Sequence, residues 1–227
     1  MPDDISPVRG VDAESLRLRQ AFIATAFLAA LLWVIKLSEL ALAMDLSGLG
    51  IYPRRPEALT GILLAPLLHG SVAHLFANTL PLLILGTASL YGYPGAARIA
   101  LPLIYIGSGA GVWLFARPAF HIGASGLTFG MMFFVFTMGL LRWDRRAIAL
   151  SMVVFFLYGG MIWGIFPSAP GISFEYHFFG AALGVLLAVI LRRIDPPPPE
   201  KKYDWEGEDD TDDWPGPSDS DRWGTGQ

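Results

Sequence analysis

Six stretches of nearly continuous apolar sequence, each close to the length that crosses a bilayer, constrain this chain more than any other feature. A helix rises about 1.5 Å per residue, so roughly 20 apolar residues span the hydrocarbon core. Candidate spans cover residues 21–43, 72–90, 97–115, 125–141, 147–166 and 177–191. The fourth and sixth are short for a full crossing, which puts their first residues below the membrane surface. Composition points the same way. Charged residues make up 16% of the chain and hydrophobic ones 53%, whereas a soluble domain carries about 25% charged residues. In lipid every backbone polar group must be satisfied within the protein, so the expected fold class is an all-α polytopic bundle.

Arginines set the expected orientation. Arg9, Arg17 and Arg19 precede the first span, Arg98 lies in one connection, Arg142, Arg145 and Arg146 in another, and Arg192 and Arg193 follow the sixth. The other side carries Arg54, Arg55 and Arg117. The positive-inside bias places both termini in the cytoplasm, and the heads of the second, fourth and sixth spans at the outer face. The domain reading is a cytoplasmic segment at 1–20, a membrane domain at 21–194 and an acidic tail at 195–227. The tail starts at four prolines, Pro196 to Pro199, and holds 11 Asp and Glu against 3 Lys and Arg. It is expected to be disordered, with Trp205, Trp214 and Trp223 solvated. The connection from Asp45 to Ser71 is partly apolar and proline-marked, and is expected to lie partly in the interface. The N-terminus has no basic, apolar, small-residue cleavage pattern, so no removable signal peptide is expected. No cysteine is present, which excludes a thiolate nucleophile, a disulfide scaffold and thiolate metal sites.

Five polar residues gather at the heads of the second, fourth and sixth spans: His69, His74, Asn78, Ser125 and His177. Ser125 lies in Gly123-Ala124-Ser125-Gly126, and Gly126 and Gly130 share a helix face. Gly180 and Gly184 repeat that spacing on the sixth span, with His177 on their face. Small residues four apart let two helices approach closely, which is most simply packing. With a hydroxyl near the outer end of one helix and an imidazole near the outer end of the other, contact between the two glycine faces brings Ser125 to His177. A serine hydroxyl becomes a useful nucleophile when a neighbouring base takes its proton. Glu175, near the aqueous rim, is a poor orienter for that base, so the reading is a dyad. His74 and Asn78, four apart on one face, can donate to a developing oxyanion, as can the Ser125 backbone N–H at a helix N-terminus. Either residue can equally serve loop backbone. His69 is expected to be structural, and His121 to be a loop residue rather than a ligand. A zinc site from His69, His74 and His177 lacks an acidic ligand or an HExxH pattern, so no metal is expected. Lys36 and Glu39 pair or snorkel, and Arg117 and Glu175 are most simply solvated.

Taken together, His69, His74 and Asn78, then Gly123, Ser125 and Gly126, then His177, Gly180 and Gly184 resemble the rhomboid family of intramembrane serine proteases, over about Gly61 to Leu191. The resemblance implies a six-helix bundle with an interfacial first loop. It also implies that Ser125 attacks a scissile carbonyl, that His177 is its base, and that His74, Asn78 and the Ser125 amide stabilise the oxyanion. His69 takes a structural role, and neither metal nor organic cofactor is implied. Phe129 stands where the family often has a tyrosine stacked on the histidine. The family's frequent Trp-Arg pair in the first loop is replaced here by Arg54 and Arg55 after Pro53. The expected partners are membrane lipid and single-span substrate proteins, with no nucleic acid, in a bacterial cytoplasmic membrane. A non-catalytic relative that binds membrane segments for quality control is the alternative.

Overall fold

A computed structural model describes residues 6–167 and 171–196, with side chains from residue 13 onward. Among these residues are seven α-helices: α1 (Ser6–Ala41), α2 (Gly61–Leu64), α3 (Val72–Gly92), α4 (Pro94–Phe115), α5 (Ser125–Arg142), α6 (Arg145–Tyr158) and α7 (Phe174–Leu191). A 3₁₀ turn, Gly159–Ile165, continues α6. Six helical segments are long and apolar enough to cross a membrane: Ala13–Ala41, Val72–Gly92, Pro94–Phe115, Ser125–Arg142, Arg145–Ile165 and Phe174–Leu191. Large apolar side chains such as Phe27, Phe76, Phe156 and Trp163 lie exposed around the bundle. On a water-soluble monomer such a surface would be an aggregation liability; in lipid it is the solvent-facing side.

Helix α5 is the central post. It buries Leu127, Phe129, Met131, Met132, Phe134, Val135 and Met138. Its closest neighbour is α7, and the contact is backbone against backbone. A Cβ on Gly180 would run into the Gly126 carbonyl, and one on Gly184 into the Gly130 carbonyl. On the far side α1 packs on α3 through Thr25 Oγ1 and Thr87 Oγ1, 3.1 Å apart, and through Trp33 Nε1 donating to Thr79 Oγ1 at 3.0 Å. Hydroxyls paired this way satisfy their donors among lipid-level side chains.

The connection between α1 and α3 is a chain of short turns, Ser47–Leu49, Pro56–Ala58, α2 and Ala65–Leu67. It is fastened to the α4–α5 connection by an isolated antiparallel bridge between Ile51 and His121. Arg54 adopts a left-handed backbone (φ 59°). Its N–H donates to Trp113 O at 2.9 Å and its guanidinium to Ala116 O at 3.1 Å. Trp113 Nε1 in turn donates to Arg55 O at 3.0 Å. A tryptophan from α4 and an arginine from the loop therefore anchor this segment.

The structure adds detail to several expectations and overturns one, the solvation of Glu175. Helix α1 starts at Ser6 and runs through residues read as a separate N-terminal segment, because Arg17 and Arg19 lower hydropathy without breaking a helix. Glu175 is buried rather than solvated, with Oε1 3.5 Å from Arg117 Nε. Lys36 and Glu39 pair, one of the two alternatives expected for them, and the ion pair is buried at 2.9 Å. Asp195 does not open a free tail: its carboxylate accepts from Gly95 N at 2.9 Å and Ala96 N at 2.8 Å, capping α4. The tail from 197 on, with its three tryptophans, lies outside the described residues.

Candidate active site

The turn into α5 is built to hold one serine. Gly123 has φ +113°, a conformation that side chains disfavour. A Cβ there would also stand 2.8 Å from Cε1 of His74. Glycine therefore allows both the turn and the close approach of an imidazole. Gly123 N donates to Ala65 O at 2.8 Å, and Ala124 N to His69 Nε2 at 3.4 Å. His69 thus holds the loop that presents the serine. It is buried, and burial first, then the neighbouring His74 ring, pushes its pKa down to about 4, so it is a neutral acceptor at ordinary pH.

Ser125 is the first residue of α5 and only 8% exposed. Its backbone N–H lies in the first turn, where amides have no intrahelical acceptor and the helix dipole favours negative charge. Thr128 Oγ1 donates to Ser125 O at 3.0 Å, tying down the first turn.

His177 is the fourth residue of α7, one turn inside the helix rather than at its head. Ser173 caps that helix, its Oγ accepting from Tyr176 N at 3.4 Å. The imidazole stacks on Phe129 with ring centroids 4.0 Å apart and planes 6° from parallel. Its Nδ1 lies 2.8 Å from the carbonyl oxygen of Gly164. Since a carbonyl oxygen only accepts, Nδ1 is the donor in this contact, and a neutral ring so bonded has its lone pair on Nε2.

Ser125, His177, His74, Asn78 and Phe129 line one cavity of about 680 Å³, closed further by Tyr158, Met161 and Ile122. Among the described residues no Asp, Glu, Lys or Arg side chain lines it. Asn78 is buried and donates Nδ2 to His74 O at 3.0 Å, leaving its second amide hydrogen available. Among the described residues neither Ser125 Oγ nor His177 Nε2 makes a hydrogen bond. The two groups face the same space, and such bonds are often long in substrate-free sites and tighten around the reacting molecule.

His121 stands apart from the cavity. It is 1% exposed, with Nδ1 2.6 Å from Ser173 Oγ and Nε2 3.1 Å from Arg117 O. Among the described residues no three His, Asp or Glu side chains are grouped to hold a metal ion.

The family profile of the rhomboid domain matches residues 56–194, which contain every residue of this cavity. The chain belongs to the rhomboid family. It is 38% identical over 173 residues to an uncharacterized protein of Mycobacterium tuberculosis, covering 71% of each chain. An uncharacterized protein of Mycobacterium leprae is 35% identical over 176 residues, 71% of this chain and 68% of its own. RHOMBOID-like protein 4 of Arabidopsis thaliana is 30% identical over 129 residues, 55% of this chain and 32% of its own. Within this rhomboid domain, reading side chains along the sequence did not find Gly164. Its contribution is a backbone oxygen, and the one sequence signal for it is the proline three residues later.

Proposed function

We propose that this rhomboid-family protein is an intramembrane serine endopeptidase. The observation that carries the reading is a single uncharged cavity, inside a membrane-spanning bundle, shared by a helix-N-terminal serine and an imidazole with its Nε2 lone pair free. In the reaction Ser125 Oγ attacks the scissile carbonyl carbon while its proton passes to His177 Nε2. The oxyanion accepts from the Ser125 N–H, the Asn78 amide and the His74 ring. The imidazolium then protonates the leaving amine, the peptide C–N bond breaks, and an acyl-serine remains. Water, deprotonated by the same Nε2, hydrolyses it.

The substrate class is a single-span membrane protein whose helix is weak near its outer end, since a hydrogen-bonded helix hides its carbonyls from attack. In this reading the protein sits in a bacterial cytoplasmic membrane with both termini in the cytoplasm, an orientation that the positive-inside bias of its arginines supports. Residues 21–194 are the catalytic membrane domain, flanked by a cytoplasmic segment and the acidic tail. No metal or organic cofactor takes part. Labelling with a fluorophosphonate tests the nucleophile: one adduct on Ser125, absent from Ser125→Ala and strongly reduced in His177→Ala. An adduct persisting in Ser125→Ala would overturn the assignment.

A further inference from the structure

Gly164 is where the reading above gains a residue that no side-chain motif reveals. The 3₁₀ turn Gly159–Ile165 ends at Phe166, whose backbone is extended (φ −101°, ψ 153°) and whose N–H donates to Trp163 O at 3.2 Å. The next residue is Pro167. Proline has no N–H, and it drives the residue before it out of helical conformation. The donor that a continuing 3₁₀ turn would send back to Gly164 O, three residues earlier, therefore does not exist. A buried carbonyl without a donor is unfavourable, and among the described residues the donor to Gly164 O is a side chain. That donor is His177 Nδ1–H, at 2.8 Å.

Gly164 itself must be small. A Cβ there would sit 2.7 Å from Phe129 Cζ and 3.3 Å from His177 Nδ1, against a rigid ring stacked on the imidazole. The glycine lets the turn's backbone come up to the edge of the Phe129–His177 stack.

We propose that Gly164 is a positioning residue: its carbonyl, deprived by Pro167 of the donor a continuing 3₁₀ turn would supply, holds the proton on His177 Nδ1 and so keeps Nε2 available to Ser125. This rests on the protease reading above. It supplies what a dyad otherwise lacks, a group that fixes the base's tautomer as a carboxylate does in a triad. The hydrogen bond persists through the reaction. When Nε2 takes the serine proton, the imidazolium keeps Nδ1–H on Gly164 O, and the proton later given to the leaving amine comes from Nε2 alone. The same contact joins the base to the segment following α6, so the base is oriented only while that turn lies against α5 and α7.

The test is nitrogen-15 NMR of the histidine-labelled full-length protein at a pH where His177 is neutral, its signals assigned by loss in His177→Ala. The expected spectrum shows His177 protonated on Nδ1 and bare on Nε2. Pro167→Ala restores an N–H and frees Phe166 to continue the turn, and so competes for Gly164 O. Its His177 should show mixed tautomers, and kcat on a transmembrane substrate should fall roughly 3- to 10-fold, the weight of one neutral hydrogen bond, at unchanged KM. A wild-type His177 carrying its proton on Nε2 overturns the proposal, as does a Pro167→Ala protein with unaltered spectrum and kcat. Failure of the protease reading looks different: the Nδ1–H signature stays while Ser125→Ala cleaves like wild type.

Discussion

Adding one methyl group at Gly180 tests whether close approach of α5 and α7 sets the site. The new Cβ of Gly180→Ala would fall on the Gly126 carbonyl group, with the Gly126 Cα only 3.1 Å away. Both obstacles are backbone, so no rotamer change relieves them. Restoring ordinary contact, near 3.5–4.0 Å for carbon pairs, requires the helices to part by on the order of 1 Å at this level. Overpacking of this kind destabilises by about 1–3 kcal/mol. His177 is one turn away on the same face, and Gly126 directly follows Ser125, so the parting is delivered to the reacting pair. A misplacement of about 1 Å lowers a rate by roughly 100-fold. Gly184→Ala meets the Gly130 backbone in the same way but a full turn further from His177. It should cost similar stability with a smaller loss of activity. The assay pairs SDS-induced unfolding with cleavage of a reconstituted transmembrane substrate. A folded Gly180→Ala protein that cuts at the wild-type rate would refute the reasoning.

The remaining predictions concern the surroundings of the serine. His69 has an ordinary pKa of 6.5 when unfolded and about 4 in the fold, so between those values the unfolded chain binds more protons and stability rises with pH. About 3 kcal/mol of stability is present above pH 6.5 and is lost progressively as pH falls toward 4; unfolding titrations across that window check it, and His69→Gln should flatten the slope. Asn78→Ala removes a cavity-lining donor and should lower kcat by about 10²–10³ with little change in KM, read from steady-state cleavage.

The spans were legible because hydropathy and helix length are tied by geometry, and the glycine contact was legible because a four-residue spacing fixes a helix face. The ends were less so. Charge hid the starts of α1 and α7: Glu175 made Phe174–Tyr176 read as a polar connection, although Ser173 is a capping residue. The ion pair of Glu175 with Arg117 and the capping by Asp195 join residues 58 and about 100 positions apart, separations that no local pattern encodes. The anchoring of the first loop was missed for the same reason, since Trp113 lies on α4 and Arg54 before α2. Gly164 escaped because pattern reading weighs side chains, whereas its role is set by an amide that Pro167 does not have.

Proteolysis through Ser125 and His177 is tested most directly by cleavage of a purified single-span substrate in liposomes by wild type, Ser125→Ala and His177→Ala, each shown to be folded. Wild type should yield two fragments cut near the outer end of the substrate helix, and both variants should yield none above background. Equal cutting by wild type and Ser125→Ala would contradict the account.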